Sequence, residues 1–315
     1  MNILSENGDD YNASQTHQLI VPVEAAGRRL DQVLAMLLPE HSRSRLQACV
    51  KAGGVQVGGV MRDEPRFKLY GGESLLVEIE EDEQTGAEKP EDIPLKIVFE
   101  DEALLVIDKP AGLVVHPGNG NWTGTLMNAL LHHAPSLAKV PRAGIVHRLD
   151  KETSGLLVVA KTLVAQTHLV RQLQARTVKR IYWAVALGEF ERDGKVEAAI
   201  GRHPVQRTKM AVVAGGRSAL THYRVLECFS GCTLIECSLE TGRTHQIRVH
   251  MASIKHPLLG DPVYGRDSPL LPPFERQALH AKRLGLIHPL TGEAMSWQSP
   301  LPADMKSLLE ILRDA

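Results

Sequence analysis

The stretch from Glu80 to Pro94, EEDEQTGAEKPEDIP, sets the strongest limit on how this chain can fold, because it is acidic, holds two prolines and has no apolar periodicity. Such a segment supplies no core-facing strand or helix and behaves as a linker. The apolar residues on either side must therefore be buried in separate units, and 315 residues suit two unequal units better than one of average size. Residues 1 to about 16 also lack periodicity. The expected organisation is a disordered lead-in over 1–16, a small unit over 17–80, an acidic linker over 81–94 and a large unit over 95–315.

In the small unit, Leu30, Val33, Leu34 and Leu37 recur at helical spacing up to Pro39. Ser42 is placed to cap a second helix that runs through Lys51 and stops at Gly53-Gly54. Val55–Val57 and Leu75–Ile79 read as strands, with Gly58-Gly59 as a turn. Residues 28–72 hold eight bases and four acids, and Arg43 and Arg45 lie at the start of the second helix. On charge alone this is a solvated basic face. The string RLDQVLAMLLPEHSRSRLQACVKAGGVQVGG, however, resembles the S4 RNA-binding module in its Arg-Leu-Asp opening, its Ser-Arg-Ser helix start and its following hairpin. It departs from that pattern at Gly71-Gly72-Glu73, where an acidic residue usually follows a single glycine. The resemblance implies a small α/β RNA-binding domain with Arg43 and Arg45 facing RNA.

The whole-chain charge, 36 bases against 37 acids, conceals an uneven distribution. Residues 73–102 hold 12 acids and two bases, which leaves 34 bases against 25 acids elsewhere, a balance suited to a polyanionic partner. No apolar run approaches the length of a membrane helix and the N-terminus has no apolar signal segment, so a cytoplasmic protein without membrane association is expected. The four cysteines form no Cys-x-x-Cys pair, which suits a reducing compartment; Cys228, Cys232 and Cys237 read as small core or edge residues.

Beyond the linker, short apolar runs at Leu104–Ile107, Leu113–Val115, Leu156–Ala160, Ile181–Leu187, Ala219–Leu226 and Thr233–Leu239 alternate with turn residues. Helical patterns appear only at about 162–176, 244–254 and 304–313. Strands without regular βαβ alternation favour an α+β domain with a mostly antiparallel sheet.

The commoner catalytic signatures are missing: there is no GxSxG elbow, P-loop, HExxH or GxGxxG. His245 and His250 are five residues apart, a spacing that does not stack ligands on one helical face, so no metal site is expected. The densest run of unusual choices is GIVHRLDKETSGLLVVAK, Gly144 to Lys161, a charged turn between apolar segments. Taken alone, Asp150 in that turn reads as a capping carboxylate.

The full string is similar to the signature of the pseudouridine synthases that modify large-subunit ribosomal RNA and tRNA. Four further segments follow the same family in order: KPAGLVVHPG from Lys109, KRIYWA from Lys179, TGRTHQIRVH from Thr241, and Leu279-His280-Ala281 with His288-Pro289. Together they cover about residues 104–290, and the S4-like segment in front points to the D branch of the ribosomal large-subunit synthases. Lys282 and Leu286 depart from the family, which commonly has aromatic residues at these positions.

The resemblance implies that Asp150 is the catalytic carboxylate, that Arg243 pairs with it, and that Tyr182 stacks on uracil and relays a proton. The reaction breaks N1–C1′ and joins C5 to C1′ with no change in composition, so no cofactor is required. Whether Asp150 attacks the sugar, adds to the base or abstracts a sugar proton stays open. A stacked uridine must be flipped out to reach it, and Arg148 is the side chain expected to fill the vacated space. Lys179, Arg180, Arg207 and Lys209 are expected phosphate contacts, and His147 a positioning residue. The expected partner is large-subunit rRNA, at the helix 69 stem-loop, or a pre-ribosomal particle, with no obligatory protein partner. A non-enzymatic RNA-binding protein is the competing reading; an S4-bearing synthetase or methyltransferase would need nucleotide or cofactor motifs that the chain lacks.

Overall fold

The computed structural model describes residues 15–39, 41, 43–79, 89–118 and 120–315, and its contacts divide the chain into two compact units, 1–86 and 87–315. Residues 1–14 of the expected lead-in, the Ser42 cap and residues 81–88 of the expected linker lie outside the described residues.

The small unit contains β1 (Gln15–Ile20), α1 (Leu30–Leu37), α2 (Arg43–Lys51), β2 (Val55–Val57), β3 (Val60–Met61) and β4 (Ser74–Ile79). Its sheet has the order β1-β4-β2-β3, with every pair antiparallel. Gln15 and Thr16, assigned to the lead-in by sequence, begin β1 opposite Ile79 and Glu78. Backbone pairing at a sheet edge recruits them although their side chains are polar. Leu30, Val33 and Leu34 of α1 and Leu46 and Val50 of α2 bury their apolar faces with Val55, Leu75 and Val77 of the sheet. Fully buried Asp31 is held by Arg29 at 2.9 Å, Arg43 at 2.8 Å and the Gln47 amide. Arg43, expected to face RNA, thus has an internal carboxylate to neutralise. The Arg45 side chain lies outside what is described.

The large unit runs β5 (Ile97–Glu100), β6 (Leu104–Lys109), α3 (Leu126–His133), β7 (Ser154–Ala160), α4 (Leu163–Gln174), β8 (Lys179–Leu187), β9 (Gly194–Glu197), β10 (Ile200–Arg202), β11 (Met210–Val212), β12 (Leu220–Phe229), β13 (Cys232–Leu239), α5 (Gln246–Ser253), β14 (Leu279–Ile287), β15 (Ala294–Gln298) and α6 (Ala303–Asp314). Among the described residues, the main sheet has nine strands in the order β5-β6-β7-β14-β8-β13-β12-β9, with β15 also on β14. Only β7 and β14 pair in parallel, so the α+β, mostly antiparallel expectation holds.

The central strands are apolar on both faces because helices cover both. Leu157 and Val159 of β7 join Ile247 and Met251 of α5 and Leu126 and Leu130 of α3. Leu156 and Val158 point the other way, to Ala165 and Leu169 of α4. Further along that second face, α6 packs Leu308, Leu309 and Leu312 on Val185 and Leu234. Cys232 and Cys237 are buried in strands, whereas Cys228 is exposed on β12.

Two local readings change. Leu113–Val115 is not a strand: Gly112 turns the chain at φ 86°, and only Val114 bridges, to Thr125. The helix α3 does not show in the sequence because LMNALLHH is an almost continuous apolar run broken by a buried Asn128, with no 3.6-residue spacing. Its start is fixed by a reciprocal cap, in which the Asn128 amide donates to Thr125 Oγ1 and the Thr125 amide to Asn128 Oδ1.

The approach of β7 to β14 decides where the functional turn lies. At Gly155, φ is 108° and an added Cβ would sit 2.3 Å from the Ala281 carbonyl oxygen. Glycine alone fits both conditions, and it lets β7 run close against β14 immediately after the 144–153 segment.

Candidate active site

Asp150 sits in the turn that enters β7, where the Thr153 amide donates to the Asp150 carbonyl at 3.0 Å. The chain reaches it along an irregular path: Arg142, Ala143 and Gly144 all adopt left-handed backbone, and Ile145 then bridges Val159. His147 Nε2 accepts the Val158 amide at 3.1 Å, and the packed surroundings of the ring, with Arg180 near, hold its pKa down to about 3. A neutral imidazole can accept that backbone N–H, which ties the ring to β7.

The ion pair expected between Asp150 and Arg243 is made by Arg248. Arg248 Nη1 donates to Asp150 Oδ2 at 3.0 Å, while its Nε and Nη2 form a two-point contact with Asp261 at 2.7 and 2.9 Å. Arg248 lies on the first turn of α5, 5% exposed, and Asp261 is fully buried. Burial opposes both charges, but their mutual hydrogen bonds outweigh it, raising the Arg248 pKa and lowering that of Asp261. Arg243 precedes the helix; its Nε donates to the Ser218 carbonyl at 3.1 Å and its backbone amide to Gln246. Both arginines belong to the segment singled out from sequence. The phase of α5, which the motif alone does not reveal, selects Arg248.

Asp150, Tyr182, Arg148, Arg180 and Arg243 all line one cavity of about 880 Å³. With Arg142, Arg176, Arg217 and Arg248, its wall carries seven guanidinium groups against two carboxylates, Asp150 and Glu240. Burial and the charges of Arg217 and Arg176 push the Arg243 pKa down. Arg180 is 7% exposed, makes one long hydrogen bond to the Glu240 carbonyl at 3.4 Å, and leaves its Nε without a partner among the described residues. Arg148 is exposed and makes no hydrogen bond or ion pair among the described residues. This wall is built to receive an anion.

Tyr182 lies on β8 at the base of the cavity, and burial raises its pKa against the opposing charge of Arg180. Its hydroxyl is protonated at neutral pH and can donate. Lys179 is exposed on β8 outside the cavity lining, and Arg207 and Lys209 lie between β10 and β11, with Lys209 Nζ donating to the Val263 carbonyl at 3.1 Å. These three are not brought to Asp150. Sequence reading missed Arg248, Asp261, His245 and Tyr264. Arg248, a lone cation in the apolar-flanked run Gln246–Met251, was the one signal available.

Lys109 ties the first family segment to this turn. Fully buried, its Nζ donates to the carbonyls of Pro110, Leu113 and Lys151 at 2.7, 2.9 and 3.0 Å. Three acceptors match three ammonium N–H groups. Lys109→Met leaves three carbonyls without that donor and is expected to destabilise the fold by about 2–4 kcal/mol in urea unfolding.

His280, 1% exposed on β14, pairs through Nδ1 with Ser154 Oγ at 3.0 Å, and burial lowers its pKa to about 4. The unfolded chain therefore binds a proton below pH 6.5 that the native state refuses until about pH 4. The stability linked to this group is complete above pH 6.5 and falls by about 3 kcal/mol as the pH drops to about 4. Unfolding curves across that window should show a weaker pH dependence in His280→Gln than in the wild type.

Related sequences and a similar fold occur in known proteins. A family model described as RNA pseudouridylate synthase matches residues 103–253, and an S4 domain model matches residues 28–75. The ribosomal large subunit pseudouridine synthase D of Nitrosomonas europaea is 59% identical over 305 residues, covering 95% of this chain and 88% of that protein. That of Pseudomonas aeruginosa is 57% identical, covering 93% and 94%. Among solved structures, human RNA pseudouridylate synthase domain containing 4 is 26% identical with a TM-score of 0.55, covering 69% of this chain and 93% of its own. Human RNA pseudouridylate synthase domain containing 1 is likewise 26% identical, with a TM-score of 0.53 and coverage of 72% and 98%. With such identity along nearly its whole length, this chain belongs to the RNA pseudouridylate synthase family, as an enzyme of that family with an S4 domain ahead of the synthase domain in sequence.

Proposed function

We propose that this enzyme converts uridine to pseudouridine in large-subunit ribosomal RNA, at the helix 69 stem-loop, with Asp150 as the carboxylate that acts on a flipped nucleotide. The observation that carries this reading is an ionic carboxylate, Asp150 on Arg248, in a cavity whose remaining wall is rich in arginine. The relatives named for the large ribosomal subunit support the choice of RNA.

Within this reading each group has a separate task. Flipping costs a few kcal/mol of stacking and pairing, which the exposed Arg148 offsets by occupying the vacated position. Arg180 and Arg243 contact phosphate, and Arg243 takes this role in place of the Asp150 pairing first expected of it. Tyr182 offers its ring face to the uracil and its hydroxyl as a donor or relay. Asp150, aligned by Arg248, supplies the nucleophile or base when the N1–C1′ bond breaks and C5 joins C1′. The S4 unit, whose described strands run from Gln15 to Ile79, adds RNA affinity through its basic residues, and the large unit carries the chemistry. Lys89 and Glu91, expected in the linker, are hydrogen-bonded to Asn128 of α3 and belong to that large unit. The natural partner is the rRNA or a pre-ribosomal particle, in the cytoplasm. No helix among the described residues is long and apolar enough to cross a membrane.

The test is tritium release from C5-labelled uridine in unmodified large-subunit rRNA, with small-subunit rRNA and tRNA as controls and the product position mapped. Release confined to large-subunit rRNA and mapping to helix 69 supports the proposal. Release from tRNA alone, or at another stem-loop, overturns the substrate assignment.

A further inference from the structure

The polar groups around Asp150 close into a ring. Asp150 Oδ2 accepts from Arg248, Arg248 grips Asp261, and Asp261 Oδ1 accepts the backbone amide of Tyr264 at 3.0 Å. The Tyr264 ring lies 5.1 Å from the Arg248 guanidinium, and its hydroxyl is 2.8 Å from His245 Nδ1. The circuit ends at His245 Nε2, which faces Asp150 Oδ1 at 3.8 Å. His245 occupies a left-handed backbone conformation, φ 56°, immediately before α5. For a residue other than glycine this costs about 1–2 kcal/mol, so the surrounding structure holds the ring in place against local preference.

Hydrogen-bond accounting favours one tautomer. The Tyr264 oxygen accepts the Met210 amide at 2.9 Å, which leaves its own proton to donate. Among the described residues, the acceptor within reach is His245 Nδ1. A neutral imidazole that accepts at Nδ1 carries its proton on Nε2. That proton faces the Asp150 oxygen that Arg248 leaves free.

We propose that His245 is a second positioning residue for Asp150, with its Nε2–H directed at Oδ1 by the hydrogen bond that Tyr264 donates to Nδ1. This rests on the reading of Asp150 as the reacting carboxylate. Arg248 holds one oxygen and His245 flanks the other, so rotation about the Cβ–Cγ bond is restrained from both sides. At 3.8 Å the His245 contact steers electrostatically and is not a formed hydrogen bond. Contacts of this kind shorten when substrate binds.

The experiment joins spectroscopy with kinetics. In protein labelled with ¹⁵N-histidine at pH 8, with His245 assigned by the signal lost in His245→Gln, the imidazole should show a protonated Nε2 and an unprotonated Nδ1. Tyr264→Phe keeps the ring beneath Arg248 but removes the donor, and should convert that signal to a mixture of tautomers. Each single variant should lower kcat for tritium release from large-subunit rRNA about tenfold, with KM within about twofold. Because Tyr264 acts through His245, the double variant should be no slower than His245→Gln alone. A wild-type Nδ1–H tautomer, additive losses in the double variant, or unchanged kcat in both single variants would overturn the proposal. Asp150→Asn is assayed in parallel. If it retains turnover, the reading of Asp150 itself fails; if it is inactive while His245→Gln is unimpaired, only the positioning role fails.

Discussion

Asp150→Asn is expected to reduce tritium release by at least about 10⁴-fold while changing affinity for RNA by less than about threefold. The substitution keeps the size and shape of the side chain, and its amide oxygen can still accept the Arg248 N–H that Oδ2 accepts at 3.0 Å. What it removes is the negative charge and the capacity to act as nucleophile or base. Binding should persist because the seven guanidinium groups of the cavity wall are intact and phosphate contacts supply most of the affinity for RNA. Single-turnover release and filter binding, measured on the same protein, separate the two effects. Turnover within about tenfold of the wild type would exclude Asp150 as the reacting group. Parallel loss of binding and turnover would mean that the turn before β7 had lost its shape.

The residues that sequence alone revealed were those held in contiguous motif segments. Asp150 was legible because HRLDKETSG, a charged turn set against the apolar run of β7, resembles the synthase signature; by its local pattern alone it reads as a capping carboxylate. Tyr182 was likewise named through the resemblance of KRIYWA, which forms the first two-thirds of β8. Arg243 and Arg248 lie five residues apart in one segment, and the choice between them depends on the left-handed His245 and on where α5 begins. Nothing in the string gives that phase. Asp261 sits in Gly260-Asp261-Pro262, which reads as an ordinary turn, yet it is the buried partner of Arg248. Lys109 likewise reads as a loop cation, and its burial becomes visible only when β6 and the Asp150 turn are brought together. The sheet class was readable from apolar runs, whereas β1, made of QTHQLI, is fixed by pairing with β4 rather than by its own composition.

Arg248→Met should lose both stability and activity, and a second substitution should restore only the first. Methionine keeps a long apolar stem but removes the charge that neutralises Asp261, whose carboxylate is fully buried. Stranding a buried carboxylate costs about 3–5 kcal/mol, more than the pair contributes when whole. The amides of Val263 and Tyr264 still donate to Asp261 Oδ1 at 2.9 and 3.0 Å, which limits the loss without replacing the cation. Adding Asp261→Asn removes the stranded charge, so urea unfolding should recover much of the stability in the double variant. Activity should stay down by about 10²–10³-fold, because Asp150 has lost the guanidinium that fixes Oδ2. If Asp261→Asn leaves the instability unchanged, desolvation of that carboxylate is not its cause. If it restores turnover as well, Arg248 serves the fold through Asp261 rather than the chemistry through Asp150.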